Sequence, residues 1–259
     1  MPFSGIRKTI VDATVTILIW GYFTAGFLLF FSPRYGWALL RGGDREAAIQ
    51  RLNQRFFHSF IRLLHLITPG LTLRIDPDIA AIRSSVVVAN HLSYLDPLLI
   101  ISLFKKQKSI VKKTFFKVPI FSYLLRRSGY MSSNNGREDK SLILRNIENI
   151  KEYLASGGNL FVFPEGTRSR TGGLGPFNKG AFSIAYYCRA PIECLLIRNT
   201  NRLFVPGRFW FNTCVPNTIE VKRIGSFSTD YRDPAFRLGA LIGEIRALYE
   251  VSVKENARG

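Results

Sequence analysis

From residue 70 onward, short apolar runs alternate with segments of helical spacing, and this alternation limits the fold more than any other feature. The runs lie at 71–75, 85–89, 109–112, 159–163 and 192–197, and each is short enough for a buried strand. Helices are predicted at 97–104, 118–127, 140–156 and 178–189, followed by strands in the 207–224 region and a final helix at about 233–254. Gly157-Gly158 closes the 140–156 helix, since glycine takes the left-handed conformation that ends helices. Such an order predicts an α/β domain with a mixed, mainly parallel central sheet flanked by helices. No internal repeat or low-complexity linker interrupts it, so 69–259 reads as one domain.

A different pattern fills residues 1–68, read as a membrane-anchoring helical region. Residues 13–32 carry no charged side chain. As a helix this stretch extends roughly 30 Å, enough for one bilayer crossing. Arg7 and Lys8 precede it and no small-residue cleavage site stands before Pro33, so an uncleaved anchor is expected rather than a signal peptide. Gly21, Thr24 and Gly26 weaken a spanning segment, and Trp20 and Tyr22 sit at its middle, so an interfacial or re-entrant helix is the rival placement. Pro33 is expected to end this helix. Asp44 then reads as the N-cap of a second helix over 45–67, stopped by Pro69-Gly70. Its Ile49, Leu52, Phe56, Phe60, Leu63 and Leu64 recur at helical spacing among Arg45, Arg51, Arg55 and Arg62. That basic amphipathic helix fits either the headgroup layer or ordinary core packing with a solvated face.

The formal charge of +18 implies an anionic partner. With 21 Phe and 47% hydrophobic residues, an anionic membrane surface fits better than nucleic acid. No RNP-like aromatic strand, zinc knuckle or arginine-glycine tract supports nucleic-acid binding. Cys188, Cys194 and Cys214 are odd in number without CxxC spacing, so neither a disulfide framework nor a zinc site is expected, and a reducing compartment follows.

Two segments carry chemistry. In Asn90-His91-Leu92-Ser93-Tyr94-Leu95-Asp96-Pro97 one of the three histidines precedes an aspartate by five residues, just after the apolar run Val86–Ala89. On a regular helix the two side chains would diverge by roughly 140°. Pro97 disfavours helical geometry at Asp96 and suits a helix start, so Leu92–Leu95 is predicted to turn and fold the carboxylate onto the imidazole. Asp96 then fixes the tautomer, and His91 accepts a proton from a substrate hydroxyl. The alternative is a helix-capping Asp96 with a core His91. The second segment, Phe163-Pro164-Glu165-Gly166-Thr167-Arg168-Ser169, also follows an apolar run. Gly166 permits close backbone approach, Thr167 offers a hydroxyl, and Arg168 offers a bidentate fork for phosphate. Glu165 either meets a polyol hydroxyl or holds Arg168. Its alternative is a surface turn with an internal ion pair.

Together these segments resemble the glycerolipid acyltransferase family, of the 1-acylglycerol-3-phosphate acyltransferase type, over about residues 70–200. Lys112-Lys113 after a strand, Val118-Pro119-Ile120-Phe121 leading to Gly129, and Phe177-Asn178-Lys179-Gly180-Ala181 also match. The resemblance implies transfer of a fatty acyl group from acyl-CoA or acyl-carrier protein to the hydroxyl of a lysophospholipid, first of all 1-acylglycerol-3-phosphate. It implies a His91–Asp96 dyad and an acceptor-phosphate site at Glu165, Gly166, Thr167 and Arg168, with Lys112 and Arg137 as further substrate-binding residues. It also implies a membrane-associated N-terminal helical pair, and no cofactor or metal is called for; the expected donor and the unpaired cysteines put the active site on the cytoplasmic face. Two blocks depart from the family pattern. Gly129-Tyr130-Met131-Ser132-Ser133-Asn134-Asn135 lacks its closing arginine, with Arg137 two residues on, and Pro191-Ile192-Glu193-Cys194 replaces a second proline and inserts a carboxylate. A missing phosphate-pairing arginine costs about 1.5–3 kcal/mol unless Arg137 substitutes. These departures leave another acceptor open, a lyso-aminolipid or other lysophospholipid. Lys105, Lys106, Lys108, Lys112, Lys113, Lys117, Arg126 and Arg127 form a basic region that either holds anionic groups near the dyad or is a solvated surface. A non-enzymatic module that binds anionic membranes is the remaining rival.

Overall fold

The computed structural model describes residues 5–117, 121–133, 140–169 and 172–255. Its centre is a seven-stranded sheet of β1 (Leu71–Ile75), β2 (Val86–Ala89), β3 (Gln107–Lys112), β4 (Met131–Ser133), β5 (Asn159–Val162), β6 (Ile192–Arg198) and β7 (Asn217–Phe227), in the order β1-β7-β6-β2-β5-β3-β4. Every neighbouring pair is parallel except β6 and β7. The expected mixed, mainly parallel sheet is therefore present. One long strand, β7, occupies the end of the 207–224 region where several strands were predicted. The apolar Phe209, Trp210 and Phe211 before it pack as loop aromatics instead.

The helices are α1 (Gly5–Gly21), α2 (Ser32–Leu40), α3 (Arg45–Ile67), α4 (Leu95–Leu103), α5 (Phe121–Arg127), α6 (Lys140–Ala155), α7 (Lys179–Cys188), α8 (Thr200–Leu203) and α9 (Leu238–Glu255). Period-two alternation along β2 decides which of them lie on each face of the sheet. Val87 and Ala89 join a core with Val15 and Ile19 of α1, Phe60 and Leu64 of α3, and Leu99 and Ile100 of α4. Val86 and Val88 join a second core with Ile150 of α6, Phe182 of α7, and Ile245 and Tyr249 of α9. The Tyr249 hydroxyl donates to the carbonyls of Val88 and Leu195 at 2.8 and 2.9 Å, fixing α9 against β2 and the middle of β6.

Pro33 does not end the first helix. A π-type stretch, Tyr22–Phe31, joins α1 to α2, and Pro33 lies in the first turn of α2, where a missing N–H costs little. The resulting run from Gly5 to Leu40 is long and apolar enough to cross a membrane by length and composition. Yet one side of it is packed on the α/β region. Trp20 meets Phe204, Phe209 and Phe211 at centroid distances of 5.9–6.0 Å. Asp12 accepts from the Thr213 amide and hydroxyl at 2.7 and 2.6 Å, and Thr16 accepts from the Phe211 amide at 3.0 Å. Asp44 caps α3 as expected, accepting from the Ala47 amide at 2.9 Å.

Candidate active site

Both predicted segments leave the carboxyl ends of adjacent parallel strands, β2 and β5. Ligands of open α/β sheets gather at such ends. Asn90 ties the tip of β2 to β6. Its side chain donates to the Ile197 carbonyl at 2.9 Å and accepts from the Ile197 amide at 2.7 Å. His91 therefore starts from a fixed backbone.

The turn predicted after His91 is present, one residue shorter than expected: α4 begins at Leu95 and Asp96 lies inside its first turn. Asp96 is fully buried. Its Oδ2 accepts from His91 Nδ1 at 2.9 Å, from the Leu92 amide at 2.5 Å and from the Ser93 amide at 2.7 Å, while Oδ1 accepts from the Thr200 hydroxyl at 2.5 Å. A carboxylate with this many donors is satisfied as an anion. Because Asp96 can only accept there, Nδ1 carries the hydrogen and Nε2 is left as the acceptor. The imidazole also stacks on Phe163, at 4.2 Å between centroids and 19° between planes. Orientation of the ring is thus fixed by a hydrogen bond and by a face.

The second segment grips the first. Glu165 is buried, and its Oε1 accepts from the His91 amide at 2.9 Å while its Oε2 accepts from the Gly175 amide at 2.7 Å. The Ser169 amide donates to the His91 carbonyl at 2.8 Å. So both backbone polar groups of His91 are held by Phe163–Ser169. Gly166 has φ +67°, and a Cβ there would approach Asn178 Nδ2 to 3.0 Å, so glycine serves both the turn and the close approach. Thr167 is exposed. The Arg168 guanidinium carbon sits 3.4 Å from the Tyr94 ring centroid. Its Nη1 is buried with no hydrogen-bond partner among the described residues. Leaving such a donor unmet costs about 1–3 kcal/mol or more, which an anionic ligand relieves. Glu165 does not serve as Arg168's partner: its oxygens face backbone amides.

Lys112 is exposed at the carboxyl end of β3, the strand beside β5, and so shares the edge of the sheet with His91 and Arg168. Arg137 and Val118–Ile120 lie outside the described residues. The basic region is divided by β3. Lys106 and Lys108 are at the opposite end, where Lys106 donates to Ser156 and Lys108 pairs with Glu46 at 2.8 Å. Lys112, Lys113 and Lys117 follow the strand at its carboxyl end, and Arg126 of α5 lies over Phe116 in that same segment. The carboxylate in the 191–194 block is also remote. Glu193 is in register with Val87, roughly 13 Å along the strands from His91 at ~3.3 Å per residue. It binds Arg223 Nε and Nη2 at 2.6 and 2.9 Å and the Ser226 hydroxyl at 2.8 Å. Its presence is explained by the β6–β7 pairing and not by the site.

Residues 72–198 match the family model described as Acyltransferase, a range that contains both motif segments and every partner of His91 and Asp96 except Thr200. Through residues 72–198 the chain belongs to the acyltransferase family. The acyltransferase region is 34% identical over 122 residues to a chloroplastic 1-acyl-sn-glycerol-3-phosphate acyltransferase of Brassica napus, covering 47% of this chain and 35% of that protein. A 1-acyl-sn-glycerol-3-phosphate acyltransferase of Saccharomyces cerevisiae is 28% identical over 205 residues, covering 73% and 65%. The chain therefore spans about a third to two thirds of the length of these relatives. In fold, the chain is similar to the 1-acyl-sn-glycerophosphate (LPA) acyltransferase of Thermotoga maritima, with TM-score 0.68, 22% identity, and 96% and 97% of the two chains covered. Sequence reading missed Thr200, Phe163 as a stacking face and Glu165 as a clamp. Of these, only Phe163 and Glu165 stand within a motif where a local signal exists.

Proposed function

We propose that this protein is a 1-acylglycerol-3-phosphate acyltransferase in which His91 and Asp96 act as the general-base dyad. The observation that carries the reading is the orientation of His91. Buried Asp96 holds Nδ1, which leaves Nε2 free to accept a proton, and the segment that grips the His91 backbone carries the unmet Arg168 donor. The acceptor hydroxyl gives its proton to Nε2 as its oxygen attacks the thioester carbonyl of acyl-CoA or acyl-carrier protein. A C–O bond forms, the C–S bond breaks, and the imidazolium returns the proton to the leaving thiolate. Direct transfer in a ternary complex is the simpler course, with no cysteine and no second histidine in the two motif segments. The acceptor phosphate is assigned to Arg168, Thr167 and the backbone at Gly166, with Lys112 and Arg137 as supporting cations. Glu165 retains lone pairs for a glycerol hydroxyl while clamping His91.

The N-terminal run is assigned to the membrane interface rather than to a crossing. One side is held by Thr213, Phe211 and Phe204, while Ile6, Ile10, Ile17, Leu28, Leu29 and Phe30 are exposed on it. Unpaired cysteines and a thioester donor suit the cytoplasmic face. The test is acyl transfer by the detergent-solubilised chain from labelled acyl-CoA or acyl-carrier protein to a panel of lysolipids. His91→Ala is expected to lower turnover about 10²–10⁴-fold. Near-normal turnover in that variant would sink the dyad. Transfer only to a different lysolipid would keep the mechanism and replace the acceptor.

A further inference from the structure

Tyr94 belongs to the first segment but has no part in the proton transfer. It stands between Ser93, whose hydroxyl donates to the Phe204 carbonyl at 3.0 Å, and Leu95, whose amide reaches the Ser93 hydroxyl at 3.4 Å. The same turn presents its amides to Asp96. Tyr94 thus projects from one of the most constrained backbones in the molecule, although its own side chain is half exposed, at 51%. Opposite it, the Arg168 backbone is equally held, because the adjacent Ser169 amide is bonded to His91.

The contact between them is a guanidinium lying 3.4 Å from an aromatic centroid. A guanidinium carries its charge over a planar face and its donors around the edge. Stacking on a ring uses the face and leaves the edge. The ring therefore fixes the plane of Arg168 and removes rotamer freedom without consuming any of the hydrogen bonds that a phosphate takes in that plane. The buried Nη1 without a partner fits this arrangement, since it is a donor held in place and not yet used.

We propose that Tyr94 is a positioning residue for the acceptor: its ring orients Arg168 toward the phosphate monoester of the lysolipid, and so sets acceptor affinity without touching the reacting atoms. The proposal rests on the assignment of Arg168 to the acceptor phosphate. It follows that the ring face is required and the hydroxyl is not, and that a lysine at 168 cannot replace the arginine, since an ammonium has no planar face to stack.

The experiment is steady-state kinetics of the full chain in mixed micelles, with lysophosphatidic acid varied at saturating acyl donor and the donor varied at saturating acceptor. Wild type, Tyr94→Phe, Tyr94→Leu, Arg168→Ala and the double variant Y94L/R168A are compared. Tyr94→Leu is expected to raise acceptor KM about 3- to 30-fold, with kcat and donor KM held within about twofold, the range of a partly desolvated cation–π contact. Tyr94→Phe restores the wild-type KM. In the Arg168→Ala background, Tyr94→Leu adds less than about twofold, because the ring then has nothing to orient. A Tyr94→Leu effect of equal size in both backgrounds would overturn the proposal, as would damage by Tyr94→Phe matching that of Tyr94→Leu. A large Arg168→Ala effect with a silent Tyr94→Leu overturns the positioning role alone. An unchanged acceptor KM in Arg168→Ala overturns the phosphate assignment, and the proposal with it. Melting temperatures of the variants check that each is folded.

Discussion

Asp96→Asn separates the two things that Asp96 does. In the native protein, three N–H groups point at Oδ2 and one hydroxyl points at Oδ1. An asparagine can place its carbonyl oxygen at the Oδ2 position and keep all three N–H bonds, including the one that fixes the His91 tautomer. Its amide nitrogen then faces Thr200, whose hydroxyl can rotate to accept. Geometry survives, and the fold should lose no more than about 1–1.5 kcal/mol, a melting shift of about 2–6 °C. What disappears is the negative charge that stabilises imidazolium. A charge-assisted hydrogen bond exceeds a neutral one by about 1–2 kcal/mol, and the Coulomb attraction at an effective dielectric of about 20 is of the same order or larger. The barrier should therefore rise by about 2–4 kcal/mol, or roughly 30- to 1,000-fold in kcat. Asp96→Ala, by contrast, orphans four buried donors at about 1–3 kcal/mol each and should approach global unfolding. The assays are acyl transfer at saturating substrates and a thermal melt, run on both variants. Wild-type kcat in Asp96→Asn would refute the dyad. A melt as damaged as that of Asp96→Ala would refute the account of the network.

Other outcomes follow from the same contacts. Glu165→Ala leaves the His91 and Gly175 amides without acceptors, so stability should fall by about 2–5 kcal/mol and kcat should drop with it, while a change in acceptor KM alone would make Glu165 a substrate contact only. Glu193→Ala should cost about 1–3 kcal/mol, between the values for exposed and buried pairs because Arg223 is 32% exposed, and should leave acyl transfer within about twofold; loss of activity at unchanged stability would place it at the site. Burial raises the hydroxyl of Tyr249 well above 10.0 and also raises that of Tyr130, so both stay protonated in the fold at pH values where the unfolded chain ionises. Below about pH 10 their contribution is complete; above it, stability should fall by about 1.4 kcal/mol per pH unit for each, and a flat urea midpoint between pH 9.5 and 11 would contradict their burial.

The fold was legible where a physical signal is local. Apolar runs such as 71–75 need no distant partner to be recognised as strands, and β1 has those bounds. Met131–Ser133 was not legible, because a three-residue strand with two serines carries no periodicity. Phe209–Phe211 misled as a strand because Phe209 and Phe211 pack on Trp20, nearly 200 residues earlier in sequence, and not in a ladder. The site divides the same way. His91 and Asp96 fall within one turn of chain, and Pro97 announces that turn. Thr200, 104 residues from Asp96, leaves no trace in spacing, and neither does the Glu165 clamp on a backbone amide 74 residues away. Residue identity gave the chemistry of these side chains, but their partners are fixed by strand order.

The seam between the N-terminal run and the loop after α8 bears on how a soluble version of this protein can be made. Asp12, Thr16 and Trp20 hold Thr213, Phe211 and Phe204, and the segment they steady begins just after Thr200, the donor to Asp96. Phe204 also accepts from Ser93, inside the turn between His91 and Asp96. Trimming residues 1–40 to escape detergent would therefore strip support from the segment next to Asp96's donor Thr200. Solubility is better sought by replacing the outward Ile6, Ile10, Ile17 and Leu28 with polar residues while keeping the inward face whole.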